Sequence, residues 1–136
     1  MKRILKILHI EDDADTRFLM RELVHEAQEP DEGVEIEWLE ARDVAEALER
    51  WSQASLDGLF VDNRLGAREG VEDFPLLRSI WSCPIWVVTG VPEKLLEERA
   101  IRNGATGLLA KDELLADGRN LRKTVLRVTV APPVCR

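Results

Sequence analysis

The chain alternates short apolar runs, which are typical of β-strands, with longer segments whose apolar residues have helical spacing. The runs at residues 59–61 and 85–88 are unbroken and predict central strands that are covered on both faces. Residues 34–38 alternate strictly between apolar and acidic side chains, which predicts a half-exposed strand at a sheet edge. The five predicted strands are residues 4–10, 34–38, 59–61, 85–88 and 106–110.

Five helices are predicted, at residues 14–28, around 44–51 and 74–81, at 92–103 and at 112–128. Asp13 or Asp15 is a suitable N-cap for the first helix. Pro92 is expected in the first turn of the fourth helix, and Gly104 just after its end. The pair at 117–118, Asp-Gly, is expected to break the last helix near its start. The first helix has an apolar stripe of Phe18, Leu19, Leu23, Val24 and Ala27.

This alternation of elements predicts a (βα)₅ chain of the α/β class, with an open parallel sheet and helices on both of its faces. The 136 residues fit one domain at residues 1–128, followed by a tail at 129–136. No run of about 18 apolar residues occurs, so no membrane insertion is expected. The apolar N-terminus is interrupted by Lys6 and His9 and lacks a small-residue cleavage site, which distinguishes it from a signal peptide.

Charge and cysteine content exclude two further classes. The net charge of −7 argues against direct binding of nucleic acid. Residues 1–93 hold 10 basic and 21 acidic residues, whereas residues 94–136 hold nine basic and five acidic ones, so the basic charge is concentrated near the C-terminus. Cys83 and Cys135 lack the spacing of a zinc site or a disulfide framework, which indicates a reduced, cytoplasmic protein.

Reactive side chains follow four of the five predicted strands. Glu11 and Asp12 follow the first strand, Asp62 the third, Thr89 the fourth and Lys111 the fifth. In open α/β sheets, ligands bind beyond the carboxyl ends of the strands, so these side chains are expected to meet at one rim.

The chemistry of this set favours phosphoryl transfer to a carboxylate. Clustered carboxylates repel one another unless a hard cation such as Mg²⁺ lies between them. The Asp62 carboxylate is a nucleophile that can form an acyl phosphate. The Thr89 hydroxyl and the Lys111 ammonium are suited to the phosphoryl oxygens.

The sequence resembles the receiver domains of bacterial two-component response regulators, the chemotaxis-regulator-like family. The resemblance rests on ILHIEDDADTR, GLFVDNRLG, CPIWVVTG and GLLAKDEL, one motif at each of four strands. It implies a flavodoxin-like sheet with strand order 2-1-3-4-5. It also implies that Asp62 is the phosphoacceptor, Thr89 the switch hydroxyl and Lys111 the conserved-type lysine, and that Arg64 offers its backbone carbonyl to Mg²⁺.

The acidic pair has two possible registers in the family pattern. Glu11 and Asp12, together with Arg17, fit best, with Asp12 as a direct Mg²⁺ ligand and Glu11 acting mainly through water. Asp12 and Asp13 form the second register. The sequence departs from the family at Leu108, where an aromatic residue usually transmits the signal, and at Asp112, where many members have proline.

We expect a stand-alone signalling domain rather than a metabolic enzyme, because a receiver domain would leave no room for an output module in 136 residues. A sensor histidine kinase or a histidine phosphotransfer protein would supply the phosphoryl group. Output would pass to a protein target, or to a homodimer, through residues 92–128. We expect Arg99, Arg102, Arg119, Arg122 and Lys123 to contribute to this docking.

Two alternatives remain open from the sequence. The first is a pseudo-receiver that docks partners without being phosphorylated, which Leu108 keeps open. The second is a haloacid-dehalogenase-type phosphatase, because Asp13-Ala14-Asp15 resembles the nucleophile motif of that class.

Overall fold

A computed structural model describes residues 3–27, 33–65 and 68–130. Its main sheet has five parallel strands in the order β2-β1-β3-β4-β5. This order and the α/β class confirm the predicted flavodoxin-like sheet. The strands are β1 (Arg3–Ile10), β2 (Val34–Ala41), β3 (Gly58–Asp62), β4 (Ile85–Thr89) and β5 (Gly107–Ala110).

Helices follow every strand of the main sheet. They are α1 (Ala14–Glu26), α2 (Val44–Trp51), α3 (Phe74–Ile80), α4 (Lys94–Arg102), α5 (Lys111–Leu114) and α6 (Gly118–Val130). The predicted break at residues 117–118 is confirmed, since α5 is a single turn and α6 begins at Gly118. Asp117 accepts a hydrogen bond from the backbone N–H of Asn120 (2.7 Å) and so caps the start of α6.

A short two-stranded sheet and a 3₁₀ turn lie between β3 and α3. Arg64–Leu65 pairs in antiparallel fashion with Arg68–Glu69, and a 3₁₀ turn covers Gly70–Asp73. The sequence pattern did not predict either element, because two-residue strands have no measurable periodicity.

The sheet separates two apolar cores, as a doubly wound fold requires. Alternate residues of β3 face opposite sides, so Leu59 and Val61 enter one core and Phe60 enters the other. The first core contains buried residues of α2, α3 and α4, and the second contains those of α1 and α6. The helices therefore hold the sheet from both faces and leave the carboxyl ends of its strands open for a site.

The apolar stripe predicted for α1 was wrong in part. Met20 and Val24 are the buried residues of this helix, whereas Phe18 and Leu19 are 56% and 43% exposed. Asp13 caps the start of the helix, and Met20 and Val24, one turn apart, face the second core. Phe18 consequently faces solvent, where the Arg21 guanidinium lies 5.5 Å from its ring.

The fourth helix begins later than predicted. Glu93 has an extended backbone, so α4 starts at Lys94 and Pro92 lies before the helix rather than in its first turn. The predicted end is confirmed, because Gly104 follows α4 with a φ of +111°, a conformation that favours glycine.

The four tryptophans contribute to packing. Trp81 is buried, and its indole N–H donates to the carbonyl of Ala54 (3.1 Å). Trp51 donates in the same way to the carbonyl of Glu40 (3.1 Å). Trp38 and Trp86 are half-buried against the second core.

Two segments lie wholly or largely outside the described residues. They are residues 28–33, of which only Gly33 is described, and the end of the predicted tail at 131–136. The boundary at residue 128 stays a prediction, and α6 continues to Val130. Among the described residues, no helix is long and apolar enough to cross a membrane.

The close contact between α1 and α6 should not tolerate a side chain at Gly118. A Cβ at this position would lie 2.6 Å from the carbonyl oxygen of Leu23, which is backbone and cannot rotate away. We expect Gly118→Ala to lower the free energy of unfolding by about 1–3 kcal/mol, measured by urea denaturation. Gly90→Ala is the control, since its Cβ would have no neighbour within 4 Å. Equal stability of the two variants would contradict the packing of α1 on α6.

Candidate functional site

Three carboxylates meet at the carboxyl edge of the sheet. Glu11 and Asp12 follow β1, Asp62 ends the adjacent β3, and one oxygen of each lies within 4.8 Å of the others. Glu11 and Asp62 are buried, with 1% and 4% of their surface exposed, whereas Asp12 is exposed. An all-oxygen donor set with one open side fits a hard divalent cation such as Mg²⁺.

Lys111 bridges the two buried carboxylates. Its Nζ lies 3.0 Å from Oε1 of Glu11 and 3.1 Å from Oδ1 of Asp62. Its position at the end of β5 brings the ammonium across the rim from β1 and β3. Burial opposes the charged form of Lys111, but the hydrogen bond to Glu11 and the charge of Asp62 outweigh it and raise its pKa.

Glu11 is the acid whose protonation is most affected by this arrangement. Burial of its carboxyl and the negative charge of Asp62 raise its pKa to about 7, although Lys111 acts in the opposite direction. Its Oε2 also accepts a hydrogen bond from the backbone N–H of Asp13 (3.2 Å). The Lys111 ammonium alone is therefore insufficient to keep the buried Glu11 carboxyl fully ionised at neutral pH.

Asp13 is separate from the carboxylate cluster and caps α1. Its Oδ2 accepts hydrogen bonds from the backbone N–H and the hydroxyl of Thr16, which lower its pKa. This geometry favours the register of Glu11 and Asp12 over that of Asp12 and Asp13. It also removes Asp13 from the role of a phosphatase nucleophile.

Arg17 supports the preferred register from the first turns of α1. Its Nη1 donates a 2.7 Å hydrogen bond to the backbone carbonyl of Glu11. This contact joins the backbone just after β1 to α1 and so fixes the position of Glu11 relative to the helix.

Thr89 ends β4 and lies at the same rim. Its side chain is buried, and its hydroxyl oxygen accepts a hydrogen bond from the backbone N–H of Val91 (3.1 Å). Gly90 leaves open space beside it. The hydroxyl is thus within the site but engaged by its own loop.

Asp62, Thr89 and Lys111 line a cleft of about 500 Å³. Arg64 is exposed and lines this cleft, while the predicted role of its backbone carbonyl as a metal ligand stays a prediction. The lining residues are Asp62, Asn63, Arg64, Thr89, Gly90, Val91, Glu93, Leu95, Leu96, Arg99 and Lys111.

Sequence reasoning missed two polar residues of the cleft. Asn63 lines it beside Asp62, and its side-chain oxygen is buried without a hydrogen-bond partner in the described part of the chain. Arg99 reaches it from α4, although the sequence suggested only a docking role. No sequence spacing marks either residue as part of the site. Arg99 is ten residues from Thr89, and its approach to the cleft depends on the rotation of a helix.

The predicted docking role of Arg122 was wrong. Arg122 is 3% exposed, and its Nη2 donates to the backbone carbonyl of Val34 at the start of β2 (3.0 Å). It therefore joins α6 to the edge strand. Arg102, Arg119 and Lys123 are exposed and remain candidates for docking.

Comparisons with known proteins identify the family and agree with the fold. The family model for the response regulator receiver domain matches residues 7–125. The chemotaxis response regulator CheY4 of Vibrio cholerae is 26% identical, with a TM-score of 0.74 over 92% of this chain and 98% of that chain. The signal receiver domain of the putative response regulator NarL from Mycobacterium tuberculosis is 21% identical, with a TM-score of 0.73 over 96% and 99%.

A third similar structure is the response regulator domain of Thermotoga maritima CheB, at 18% identity and a TM-score of 0.74 over 96% of this chain and all of that chain. No curated protein matches the sequence. The family match spans β1 to α6 and includes all the residues of the rim. The chain therefore belongs to the response regulator receiver domain family, whose members are signalling domains of two-component systems.

Proposed function

We propose that Asp62 accepts a phosphoryl group in a Mg²⁺-dependent reaction and that the chain transmits this state to a protein partner. The observation that carries the proposal is the position of Asp62. Its carboxylate is buried, bonded to the Lys111 ammonium, next to Glu11 and Asp12, and open to a cleft. The donor would be the phosphohistidine of a sensor histidine kinase or of a histidine phosphotransfer protein.

In this proposal an oxygen of Asp62 attacks phosphorus, the P–N bond of the phosphohistidine breaks, and the imidazole leaves with its electron pair. Lys111 already binds Oδ1 of Asp62, and its ammonium would bind a negatively charged phosphoryl oxygen once the group is attached. Thr89 would release Val91 and donate its hydroxyl to another oxygen. Water later attacks phosphorus, which returns the free carboxylate and phosphate.

Glu11, Asp12, Asp62 and the backbone carbonyl of Arg64 would hold the metal. Mg²⁺ bound there supplies positive charge that offsets repulsion between the carboxylates and the phosphoryl oxygens. Because the phosphoryl donor is a sensor histidine kinase or a histidine phosphotransfer protein in this proposal, we also propose that the chain works in the cytoplasm.

Asp62→Asn tests phosphoryl acceptance. We expect the parent chain to form an acyl phosphate from acetyl phosphate and Mg²⁺, and the variant to form none, because an amide is not a nucleophile for phosphorus. Phosphate-affinity electrophoresis measures both species. Asp57→Asn is the matched control. Asp57 lies just before the first residue of β3, at the end away from Asp62, and accepts a hydrogen bond from the backbone N–H of Lys6 (2.8 Å).

An unmodified parent chain would overturn phosphoryl acceptance and favour the pseudo-receiver, a docking module without phosphorylation. Phosphorylation of Asp62→Asn equal to that of the parent would place the acceptor elsewhere. Asp57→Asn should be modified as readily as the parent.

The raised pKa of Glu11 predicts an unusual dependence of stability on pH. Folded Glu11 keeps a proton between its ordinary value of 4.5 and about 7, whereas the unfolded residue has lost it. Stability is therefore highest below pH 4.5 for this group and is lost as the pH rises through 7. In a chelator, we expect the free energy of unfolding to fall by about 2 kcal/mol between pH 5 and 8 relative to Glu11→Gln.

Urea denaturation at each pH measures this difference. Saturating Mg²⁺ should reduce the slope, because a bound cation stabilises the ionised carboxylate. A parent chain and a Glu11→Gln variant with parallel pH profiles would contradict the assigned protonation of Glu11.

Exposed basic residues on α4 and α6 are proposed to dock an acidic protein target or a second copy of the chain. We expect reversal of charge at Arg102 and Lys123 to weaken this binding about tenfold at low salt, and salt to reduce the effect. Dissociation constants of the target or homodimer at increasing salt measure it. Arg42→Glu is the control, since Arg42 is exposed in the loop between β2 and α2. Affinity independent of salt would contradict this docking mode.

A further inference from the structure

Arg99 joins α4 to the cleft in which Asp62 lies. Arg99 lines the cleft together with Asp62, Thr89 and Lys111. It lies on α4, which contributes no residue to the carboxylate cluster. Arg64, Arg99 and Lys111 are the basic residues of this lining, and Lys111 is bound by two carboxylates. Arg99 is therefore a cation of the cleft that approaches from a different structural element.

Phosphorylation would change the charge that Arg99 faces. An Asp62 carboxylate carries one negative charge, whereas a phosphoryl group carries about two and projects further into the cleft. The guanidinium is planar and always charged, and its geometry suits phosphoryl oxygens. The force between Arg99 and the site thus increases when the phosphoryl group is present.

The packing of α4 allows it to respond to such a force. Ala100 is the buried residue of this helix, so a small side chain provides its deepest anchor. Glu93, at the N-cap position, makes no capping hydrogen bond through its side chain. A helix whose one fully buried side chain is a methyl group, and which lacks a side-chain cap, can shift at low cost.

Leu108 cannot provide the same connection. It lies half-buried on β5 and packs against the core that contains Ala100. Its aliphatic side chain has no polar group with which to respond to charge in the cleft. A charge-dependent route from the site to α4 therefore does not run through Leu108.

We propose that Arg99 is the positioning residue through which α4 responds to phosphorylation, its guanidinium binding the phosphoryl group and drawing the helix toward the cleft. This inference rests on the proposed function of Asp62. It specifies how the modified site would alter the surface of residues 94–102, where a partner can read it.

The test uses the full chain with Mg²⁺ and beryllofluoride, which mimics the phosphoryl group. Variants are Arg99→Gln, Arg99→Lys and the control Lys94→Gln, which removes one charge from the same helix at a residue outside the cleft lining. Calorimetry measures binding of beryllofluoride, and amide hydrogen exchange measures protection of residues 94–102.

We expect saturating beryllofluoride to slow exchange in α4 at least fivefold in the parent and in Lys94→Gln. Arg99→Gln should bind beryllofluoride more weakly, because one cation is lost, but still reach saturation through Lys111 and the acids, and at saturation it should show no such slowing. Arg99→Lys should restore part of the response, because it retains the charge without the planar donor pair.

Two outcomes separate this inference from the proposed function. If the parent binds beryllofluoride and Arg99→Gln shows equal slowing of exchange, or if the α4 of the parent does not respond, the role of Arg99 is overturned alone. If the parent does not bind beryllofluoride, or if Asp62→Asn binds it equally, the role of Asp62 fails and this inference fails with it.

Discussion

The ammonium of Lys111 between Glu11 and Asp62 is the interaction on which the site depends. Two acids buried on neighbouring strands repel each other, and this repulsion is largest where water is excluded. Contacts of 3.0 and 3.1 Å to one ammonium offset the burial of Glu11 and its repulsion from Asp62 only in part, so the pKa of Glu11 remains high. The remaining negative potential is what makes the rim attractive to a divalent cation, and a cation in turn makes phosphoryl transfer to a carboxylate feasible.

Strand order makes this contact possible. β1 and β3 are adjacent, and β5 lies two strands from β3, so a long side chain is required to return to the acids. Lysine at the end of β5 has that length. The two apolar cores fix the sheet from both sides, and the loops after β1, β3 and β4 are therefore free to carry polar groups rather than to stabilise the fold.

Much of the sheet and most of the rim could be predicted from the sequence, because strand period and strand ends are local signals. Asp62 follows an unbroken apolar run, and its place beside Glu11 then follows from parallel pairing. Rotation of helices could not be predicted in the same way. Met20 rather than Phe18 faces the core, Arg122 is buried rather than exposed, and Arg99 reaches the cleft, because each depends on packing against distant residues. The engagement of the Thr89 hydroxyl by Val91 is likewise a property of loop geometry.

The most direct test of the account locates the modified residue chemically. The chain is incubated with a phosphoryl donor and Mg²⁺ and then reduced with borohydride, which converts an aspartyl phosphate to homoserine. Peptide mass spectrometry reads the position of the homoserine. We expect homoserine at residue 62 alone, in a yield that falls to background when Mg²⁺ is chelated. Homoserine at residue 12 or 13, or modification that does not require Mg²⁺, would contradict it.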